Sequence, residues 1–350
     1  MNKNFWKNKK VLITGHTGFK GRWTSLLLEY LGADVYGVSI KSNSKKVYYS
    51  LIKKNYFCDI CDTSRISNII KKIQPEIIFH FAAQSLVLSG YNKIIETYKT
   101  NFMGSINIIE AAKITKSVKC LLIATTDKVY KNNGKNISFH ENSELGGKDP
   151  YSASKAALEI AIQSFISSEL TNDMRIASVR AGNVIGGGDF GKDRLMTDLI
   201  EHFIGNKKQL IIRNPSSIRP WQYVLDVVNG YITLSEKLFK NKKYTGSYNF
   251  GPNKKLKKIK VKELVNALQL FFKDKQILIS QGKKTIIRKE EKTIFLKTSK
   301  IKKFLNYKYK IFKLQDLLNR TLSVYKLIHK NKFRNIKKIY LSEIKDYLNL

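Results

Sequence analysis

The chain has 350 residues, 43% of them apolar, and carries a formal net charge of +37. These values are typical of a globular protein with one large domain or two closely joined domains. The three cysteines are too few and too scattered for a disulfide framework, which indicates a reducing compartment, the cytoplasm. No apolar run approaches the roughly 20 residues that span a bilayer, so we expect no membrane partner.

The excess of 64 basic over 27 acidic residues raises the question of a nucleic-acid partner. The lysines are spread along the whole chain, and no helix-turn-helix, zinc-finger or RNA-binding signature accompanies them. A solvated, lysine-rich surface is therefore the favoured interpretation, and we expect no nucleic acid as partner. The positive field would still attract a small anionic substrate.

Short apolar runs alternate with helical segments through the first half of the chain. The predicted strands cover residues 10–14, 34–40, 56–58, 77–81, 120–125 and 175–180. The first helix is predicted over 23–31. Apolar strands separated by helices are typical of a parallel sheet that is covered on both faces. The alternation predicts a Rossmann-like, doubly wound α/β domain over residues 1–180.

The alternation breaks after Ala181, where glycine-rich loops follow. Periodic apolar positions then predict helices over residues 196–204, 225–238, 261–272 and 314–328. We expect residues 181–350 to form a smaller, mostly C-terminal α/β domain that binds the substrate. Parts of 181–250 are expected to return to the first domain.

A glycine motif, Gly15-His-Thr-Gly18-Phe-Lys-Gly21, lies between the first predicted strand and the first helix. Gly15 would make the tight turn, Gly18 would let the backbone approach a pyrophosphate, and Gly21 would let the helix pack closely on the strand. The anion would then lie on the free amides of the helix N-terminus. The position of the motif in the chain predicts a bound dinucleotide.

The second strand lacks the acidic residue that normally holds the ribose hydroxyl of the adenosine. Its end reads Ser39-Ile-Lys41-Ser42 instead. Lys41 and Ser42 could accommodate a ribose phosphate, so NAD and NADP both remain open at this point.

Asp59 and Ile60 follow the third predicted strand, where such folds hold adenine through an acidic side chain and the next backbone amide. They lie between Cys58 and Cys61 in a C-x-x-C spacing. Because neither a second cysteine pair nor a nearby histidine accompanies this spacing, we expect no metal site.

Tyr151 and Lys155 are four residues apart, which places both on one face of a helix. A phenol with a pKa of about 10 is a poor base at neutral pH, whereas a neighbouring ammonium and an oxidised nicotinamide would favour the phenolate. Tyr151 could then take a proton from a hydroxyl as hydride leaves the same carbon. The alternative is an ordinary helix start after Pro150, but the dinucleotide turn upstream favours catalysis.

The segment Thr126-Asp127-Lys128 follows the strand predicted over 120–125, at the edge where open parallel sheets bind ligands. Thr126 could hydrogen-bond the reacting hydroxyl. Asp127 and Lys128 would supply an acid and a base for a second proton transfer, and a solvated ion pair is the alternative for these two residues.

Asn183, Arg194 and Arg219 form a third candidate group. Two guanidinium groups and an amide could clamp a diphosphate through bidentate, charge-assisted hydrogen bonds. Among 64 basic residues a single arginine is more simply a surface residue, so the hypothesis depends on the surrounding motifs. His80, in an apolar strand, is interpreted as a core residue rather than a ligand.

Together these motifs resemble the CDP-glucose 4,6-dehydratases of the extended short-chain dehydrogenase/reductase superfamily, from about residue 10 to nearly the C-terminus. The motifs that carry the resemblance are Thr14-Gly-His-Thr-Gly-Phe-Lys-Gly21, Phe81-Ala-Ala-Gln84, Thr126-Asp-Lys128, Asp149-Pro-Tyr-Ser, Arg180-Ala-Gly-Asn-Val-Ile-Gly-Gly-Gly-Asp189 and Arg219-Pro-Trp-Gln222. Related dTDP-glucose dehydratases carry Glu at the position of Lys128, so this lysine favours the CDP-sugar branch.

The resemblance implies the residues that bind each ligand. The implied cofactor-binding residues are Gly15, Thr17, Gly18, Phe19, Lys20, Gly21, Asp59, Ile60, Ala82, Ala83, Gln84, Asn101, Tyr151 and Lys155. The implied substrate-binding residues are Gln84, Asn183, Arg194, Arg219 and Tyr223. The implied cofactor is NAD, with NADP not excluded, and the implied partners are CDP-glucose or a similar nucleotide sugar and a second copy of the chain in a homodimer or larger homo-oligomer.

A three-step cycle also follows from the resemblance. Tyr151, with Thr126 and Lys155, would deprotonate the C4 hydroxyl while hydride passes to the cofactor. Water would then be lost across C5 and C6, with Asp127 as acid and Lys128 as base, and hydride would return to C6. The implied product is CDP-4-keto-6-deoxyglucose, a precursor of deoxysugars in lipopolysaccharide O-antigen.

Three rival functions stay open, and the first is a 4,6-dehydratase of the same superfamily that acts on a different nucleotide sugar. A 4-epimerase of the same superfamily needs Tyr151 but not the pair of Asp127 and Lys128, and a non-enzymatic nucleotide-binding protein needs none of the three. Two positions also depart from the family pattern. Tyr223 stands where histidine is common, and Lys41 stands where an acidic residue can occur, which leaves the base contacts and the cofactor choice open.

Overall fold

The computed structural model describes residues 1–41, 51–134, 138–191, 194–205, 212, 215–256, 258–272, 294–331 and 334–350. The strands in these ranges are β1 (Lys10–Thr14), β2 (Asp34–Ser39), β3 (Lys54–Phe57), β4 (Ile77–His80), β5 (Cys120–Ala124), β6 (Ser138–Phe139), β7 (Arg175–Ala181), β8 (Val184–Ile185), β9 (Ile218–Arg219), β10 (Gln222–Tyr223), β11 (Gly246–Phe250), β12 (Ile259–Lys260) and β13 (Phe295–Leu296).

Helices cover much of the remaining described chain. They are α1 (Lys3–Trp6), α2 (Phe19–Tyr30), α3 (Thr63–Ile73), α4 (Val87–Asn92), α5 (Ile94–Tyr98), α6 (Gly104–Lys113), α7 (Pro150–Ser167), α8 (Leu195–Phe203), α9 (Val224–Lys240), α10 (Val261–Gln269), α11 (Ser299–Leu305), α12 (Leu314–Lys330) and α13 (Ile336–Leu348). A short π-helix, Lys99–Met103, joins α5 to α6.

A parallel sheet of seven strands in the order β11-β7-β5-β4-β1-β2-β3 forms the centre of the molecule. Successive side chains of a strand point to opposite faces, so β1 places Val11 and Ile13 in one apolar core and Leu12 in the other. Burial on both faces explains why these strands are continuous apolar runs. The predicted Rossmann-like α/β fold is confirmed.

The site lies where the central strands end. Because β1, β4 and β5 are parallel neighbours in register, the residues that follow Thr14, His80 and Ala124 all emerge at the same edge of the sheet. The glycine turn, the segment 81–84 and the segment 126–128 are therefore brought together there, in agreement with the rule that open parallel sheets bind ligands at this edge.

Several boundaries differ from the prediction. Helix α2 begins at Phe19 rather than residue 23, because the glycine turn leads straight into its first turn. The sequence predicts no strand near residue 246, yet β11 pairs with β7 along the edge of the main sheet. Helix α13 was not predicted either. None of the described helices has both the length and the apolar character to cross a membrane.

Candidate active site

The glycine turn forms a cradle that side chains would fill. Gly15 has a φ of +70°, and a Cβ on it would lie 2.7 Å from the Ala82 backbone nitrogen. A Cβ on Gly21 would lie 2.2 Å from the Gly15 carbonyl oxygen. Gly18 caps α2 without a side-chain hydrogen bond, so the first amides of the helix point toward the turn. This backbone fits the pyrophosphate of a dinucleotide.

Tyr151 stands in the first turn of α7, on a well-capped helix start. The Asp149 carboxylate accepts hydrogen bonds from the amide and the hydroxyl of Ser152, at 3.0 and 2.6 Å, and Pro150 occupies the first helical position. The Tyr151 phenol is hydrogen-bonded to the Thr126 hydroxyl. Helix α7 and the end of β5 therefore meet at the two groups expected to contact a reacting hydroxyl.

Burial raises the pKa of Tyr151 to about 12. The hydrogen bond with Thr126 and the charge of Arg194 lower the pKa of Tyr151, whereas the charge of Asp127 raises it. In the protein alone, burial therefore outweighs the groups that favour the phenolate. A cationic cofactor ring beside the phenol would act in the opposite direction.

Lys155 is buried one turn further along α7, and its Nζ donates to the Ala124 carbonyl oxygen at 3.2 Å. Burial lowers the pKa of Lys155 to about 7, the nearby charge of Lys20 lowers it further, and Glu159 opposes both. The Lys155 amino group is thus held against the end of β5 with its pKa lowered toward neutrality.

Asp127 lies at the end of β5 with 4% of its surface exposed. Burial raises its pKa, while the charges of Lys128 and Arg219 lower it. Its carboxylate accepts a hydrogen bond from Thr126 at 3.1 Å and fills the space that a Cβ on Gly182 would need. The strand-end motif and the loop after β7 are therefore in direct contact, and Lys128 beside them is half-buried.

Lys20, predicted only as a cofactor contact, lies close enough to Asp127 and Lys155 for their charges to interact. These residues and Tyr151 form one cluster. Burial lowers its pKa to about 8, Arg194 lowers it further, and Asp127 and Asp189 raise it. Its Nζ lies 5.8 Å from the centre of the Tyr231 ring. The helix that begins at the glycine turn therefore brings a second lysine to the Tyr151 side of the sheet edge.

The two arginines lie near this cluster. Arg194 donates to the Asp189 carboxylate at 2.7 Å and to the Ser85 hydroxyl at 3.0 Å. Arg219 donates to the Ile218 carbonyl oxygen at 3.2 Å, and its charge acts on Asp127. Asn183 has a left-handed backbone with a φ of 41°. The charge of Arg194 thus acts on Tyr151 and Lys20, that of Arg219 acts on Asp127, and Asn183 follows Gly182, whose Cβ position is filled by the Asp127 carboxylate.

The side-chain amides of Gln84 and Asn101 form hydrogen bonds within the protein. Asn101 is fully buried in the π-helix, where its side chain bonds the Gln84 backbone amide and carbonyl and the Ser154 hydroxyl. The Gln84 amide bonds Leu86 and Thr97. These contacts brace the segment 81–84 and link it to the first turns of α7 through Ser154.

Tyr223 lies away from the predicted contact with the substrate. Its side chain is 1% exposed, and its hydroxyl donates to the Glu343 carboxylate at 2.6 Å. Packing against Tyr347 completes its surroundings, with ring centroids 6.1 Å apart. The structure therefore presents Tyr223 as an interior link to α13, and a contact with a bound nucleotide would require this packing to open.

The two residues predicted to hold adenine, Asp59 and Ile60, differ in exposure. Asp59 is exposed, with its carboxylate accepting the Cys61 amide at 2.9 Å, while Ile60 is buried against Gly104. Thr17 is buried and its carbonyl accepts the Arg22 guanidinium, whereas Phe19, Ala82 and Ala83 are half-buried at the rim of the turn. Ser42 lies outside the described residues.

His80 is a core residue, as expected. Its ring nitrogens contact the hydroxyls of Thr14 and Ser105, at 2.6 and 2.8 Å, and burial lowers its pKa to about 3. In the described part of the chain, no group of three or more His, Cys, Asp and Glu side chains is placed to hold a metal ion.

A buried ion pair under the site was missed from the sequence. Glu159 and Arg180 are both fully buried, and the Arg180 Nη2 lies 2.7 Å from the Glu159 carboxylate. Glu159 also accepts from the hydroxyls of Thr125, Ser178 and Ser247. Its position four residues after Lys155, on the same helix face, was the signal available.

Known proteins share these features. A family model described as the NAD dependent epimerase/dehydratase family matches residues 11–251. The chain belongs to this family. NAD is accordingly the cofactor to which the glycine cradle is fitted, and the resemblance inferred from the motifs is confirmed at the level of the family.

Individual relatives of this epimerase/dehydratase are similar over most of its length. A CDP-glucose 4,6-dehydratase of Salmonella typhimurium is 42% identical over 264 residues, which cover 72% of this chain and 73% of that protein. A dTDP-D-glucose 4,6-dehydratase of Dictyostelium discoideum is 28% identical, over 74% of this chain and 62% of that protein. The structure of UDP-glucose 4-epimerase from Thermus thermophilus in complex with NAD superposes with a TM-score of 0.76 at 21% identity, covering 90% of this chain and 98% of that one; it shares the fold.

Proposed function

We propose that the protein is a CDP-glucose 4,6-dehydratase, a hydro-lyase that converts CDP-glucose to CDP-4-keto-6-deoxyglucose. The observation that carries the proposal is the segment Thr126-Asp-Lys128, whose hydroxyl and carboxylate lie beside the Tyr151 phenol at the end of β5. The similarity to the Salmonella CDP-glucose 4,6-dehydratase supports the choice of nucleotide and sugar.

NAD, when bound, supplies the chemistry of accepting a hydride from the sugar and returning it. Tyr151 takes the proton of the C4 hydroxyl, and its hydrogen bond with Thr126 orients the phenol. Lys155, fixed on the Ala124 carbonyl, holds a positive charge near the emerging phenolate.

The elimination needs one acid and one base. Asp127 donates a proton to the departing C6 hydroxyl, and its raised pKa lets it keep that proton nearer to neutral pH. Lys128 removes the C5 proton and keeps it, the C5–C6 double bond forms, and the C6 hydroxyl leaves as water with the proton from Asp127. Arg194 and Arg219, with Asn183, hold the diphosphate of the nucleotide.

A 4-epimerase is the second candidate, because the family and the similar solved structures include 4-epimerases. An epimerase returns hydride to C4 and loses no water, so it needs Tyr151 and Lys155 but not the pair of Asp127 and Lys128. The pair at the strand end favours the dehydratase.

The test is incubation of the purified protein with CDP-, dTDP-, UDP- and GDP-glucose, followed by mass spectrometry. Loss of one water from CDP-glucose alone supports the proposal, and an isomer of unchanged mass or no conversion of any substrate contradicts it. Replacing Lys128 with Met should abolish the water loss while C4 oxidation, seen as reduced-cofactor absorbance in a single turnover, remains. Full dehydratase activity in that variant would remove Lys128 from the mechanism.

We further propose that the protein acts as a cytoplasmic homodimer in the synthesis of deoxysugars for O-antigen. The adjacent helices α5 and α7 carry exposed apolar side chains, among them Ile94, Ile95 and Ile160 at 51%, 82% and 57% exposure. Such side chains on neighbouring helices are typical of surfaces that pair. Light scattering of the wild type and of Ile95→Glu checks this: a dimer that dissociates in the variant supports it, and a wild-type monomer contradicts it.

A further inference from the structure

The loop between β8 and α8 is held by aromatic side chains from three distant helices. Trp23 Nε1 in α2 donates to the Gly187 carbonyl at 3.1 Å, and the Tyr340 hydroxyl in α13 donates to the Gly188 carbonyl at 3.4 Å. The Tyr325 hydroxyl in α12 donates to the Asp189 carbonyl at 2.5 Å. Three consecutive carbonyls thus have separate donors, two of them from the C-terminal helices.

At Gly187 and Gly188 the loop packs so closely on the C-terminal helices that a side chain would not fit. A Cβ on Gly187 would lie 2.2 Å from Val324 Cβ, and a Cβ on Gly188 would lie 1.6 Å from the Tyr340 hydroxyl oxygen. Gly188 also has a φ of +80°. Since Tyr325 and Tyr340 are fully buried, the loop can occupy only a narrow range of positions while α12 and α13 are in place.

Asp189, in the same loop, also binds an arginine at the site through its side chain. The Asp189 carboxylate accepts from Arg194 Nη1 at 2.7 Å and from the Gly191 amide at 3.1 Å. The charge of Arg194 in turn acts on Tyr151 and Lys20. The chain of contacts therefore runs from Tyr325 through Asp189 to the guanidinium beside the catalytic tyrosine.

We propose that Tyr325 is a positioning residue, which sets the orientation of Arg194 through Asp189 and thereby the affinity for the substrate diphosphate. Helices α12 and α13 lie outside residues 11–251, which match the family model. In this chain the C-terminal helices are thus part of the support of the substrate site. The identity of the substrate rests on the proposed function, whereas the positioning of an anion-binding arginine does not.

The test compares Tyr325→Phe with Tyr347→Phe. Tyr347 in α13 is also buried, and its hydroxyl donates to the Asp226 carboxylate at 2.7 Å. Both variants therefore lose one buried hydrogen bond. In Tyr325→Phe we expect the KM for CDP-glucose to rise about tenfold with kcat within about twofold, as expected when binding is lost equally from ground and transition states. In Tyr347→Phe we expect the KM to be unchanged. An equal KM in both variants, or a fall in kcat alone, overturns the proposal.

Two further measurements test whether Tyr325 acts through Arg194 and whether the affected contact is the one to the diphosphate. In an Arg194→Met background, Tyr325→Phe should add less than about a twofold change in KM, because the arginine it positions is gone. Calorimetric titration of the NAD-loaded protein with CDP and with UDP measures the diphosphate contact without turnover. If the wild type dehydrates no sugar nucleotide but Tyr325→Phe still weakens nucleoside diphosphate binding, the proposed function fails and the positioning role stands. If wild-type turnover is normal and diphosphate affinity is the same in both proteins, the positioning role fails.

Discussion

Replacing Glu159 by glutamine removes a carboxylate that four groups share in the centre of the fold. Glu159 accepts from Arg180 at 2.7 Å and from three hydroxyls at 2.5 to 3.1 Å, and neither charged side chain of the pair is exposed. Glutamine has nearly the same shape but carries no charge, and its amide nitrogen offers no lone pair. The variant leaves the Arg180 guanidinium buried without a counter-charge.

Removing one partner of a buried ion pair costs about 3–5 kcal/mol of the free energy of unfolding. The unfolding entropy is about 2.1 cal/mol/K per residue. For 350 residues the free energy of unfolding therefore changes by about 0.7 kcal/mol per degree near the Tm. The Tm of Glu159→Gln should therefore fall by about 4–7 °C at pH 7. Differential scanning calorimetry measures this.

The loss should depend on pH in a defined direction. Burial opposes ionisation of Glu159, but Arg180 and the hydroxyl donors outweigh it, so the pKa of the folded protein lies below the usual value. A depressed carboxyl pKa contributes stability that is present above the unfolded pKa of about 4.3 and is lost as pH falls through the folded pKa. The difference in Tm between wild type and variant should be largest near neutral pH and should shrink below pH 4.

Two controls separate this ion pair from a general effect of mutation. Glu110→Gln breaks a partly exposed pair with Lys113 and should change the unfolding free energy by less than about 1 kcal/mol. The double variant Glu159→Gln with Arg180→Met removes both buried charges and should cost at least about 2 kcal/mol less than the sum of the single variants. Additive costs, or a fall in Tm below about 1 °C for Glu159→Gln, would refute the reasoning.

Three shorter predictions follow from the site. Tyr151→Phe should lower kcat by about 10²- to 10⁴-fold with an unchanged Tm, because it removes the proton acceptor; steady-state kinetics that match the wild type contradict it. Lys155→Met should be more stable than the wild type at pH 6, and this excess stability should shrink as pH rises from 7 toward 10. The reason is that the pKa of Lys155 is lowered to about 7 in the folded protein, so below the pKa of the unfolded chain protonation favours unfolding. Thermal unfolding across this pH range checks the sign. Gly21→Ala should weaken NAD binding by at least about tenfold in fluorescence titration, since its Cβ would lie 2.2 Å from the Gly15 carbonyl.

The sheet and the place of the site could be predicted because the signals are local. Apolar runs such as Val11–Ile13 are buried on both faces, and they show directly in the sequence. The glycine turn follows β1 within one residue, and the segment that begins at Thr126 follows β5 within two. Parallel strands in register then bring these ends together without any further information.

The contacts that escaped prediction join residues far apart in the chain. Tyr223 meets Glu343, which is 120 residues away, and Tyr325 meets Asp189, which is 136 residues away. Nothing in the local pattern of either tyrosine distinguishes an interior hydrogen bond from a ligand contact. Lys20 was assigned to the cofactor from its place in the motif, whereas its link to Asp127 depends on how α2 packs on the sheet edge.

The directions of the pKa shifts distinguish the buried Glu159–Arg180 pair from the cluster of Lys20, Asp127 and Lys155 beside Tyr151. In the structural pair the shifts move away from neutrality, since the pKa of Glu159 is lowered and that of Arg180 is raised, so both charges are permanent. At the strand end they move toward neutrality: burial raises the pKa of Asp127 and lowers those of Lys20 and Lys155 to about 8 and 7. A cluster selected for stability alone would pair or replace such groups. Shifts toward neutrality are typical of sites of acid–base catalysis, and the cluster beside Tyr151 shows them whereas the Glu159–Arg180 pair does not.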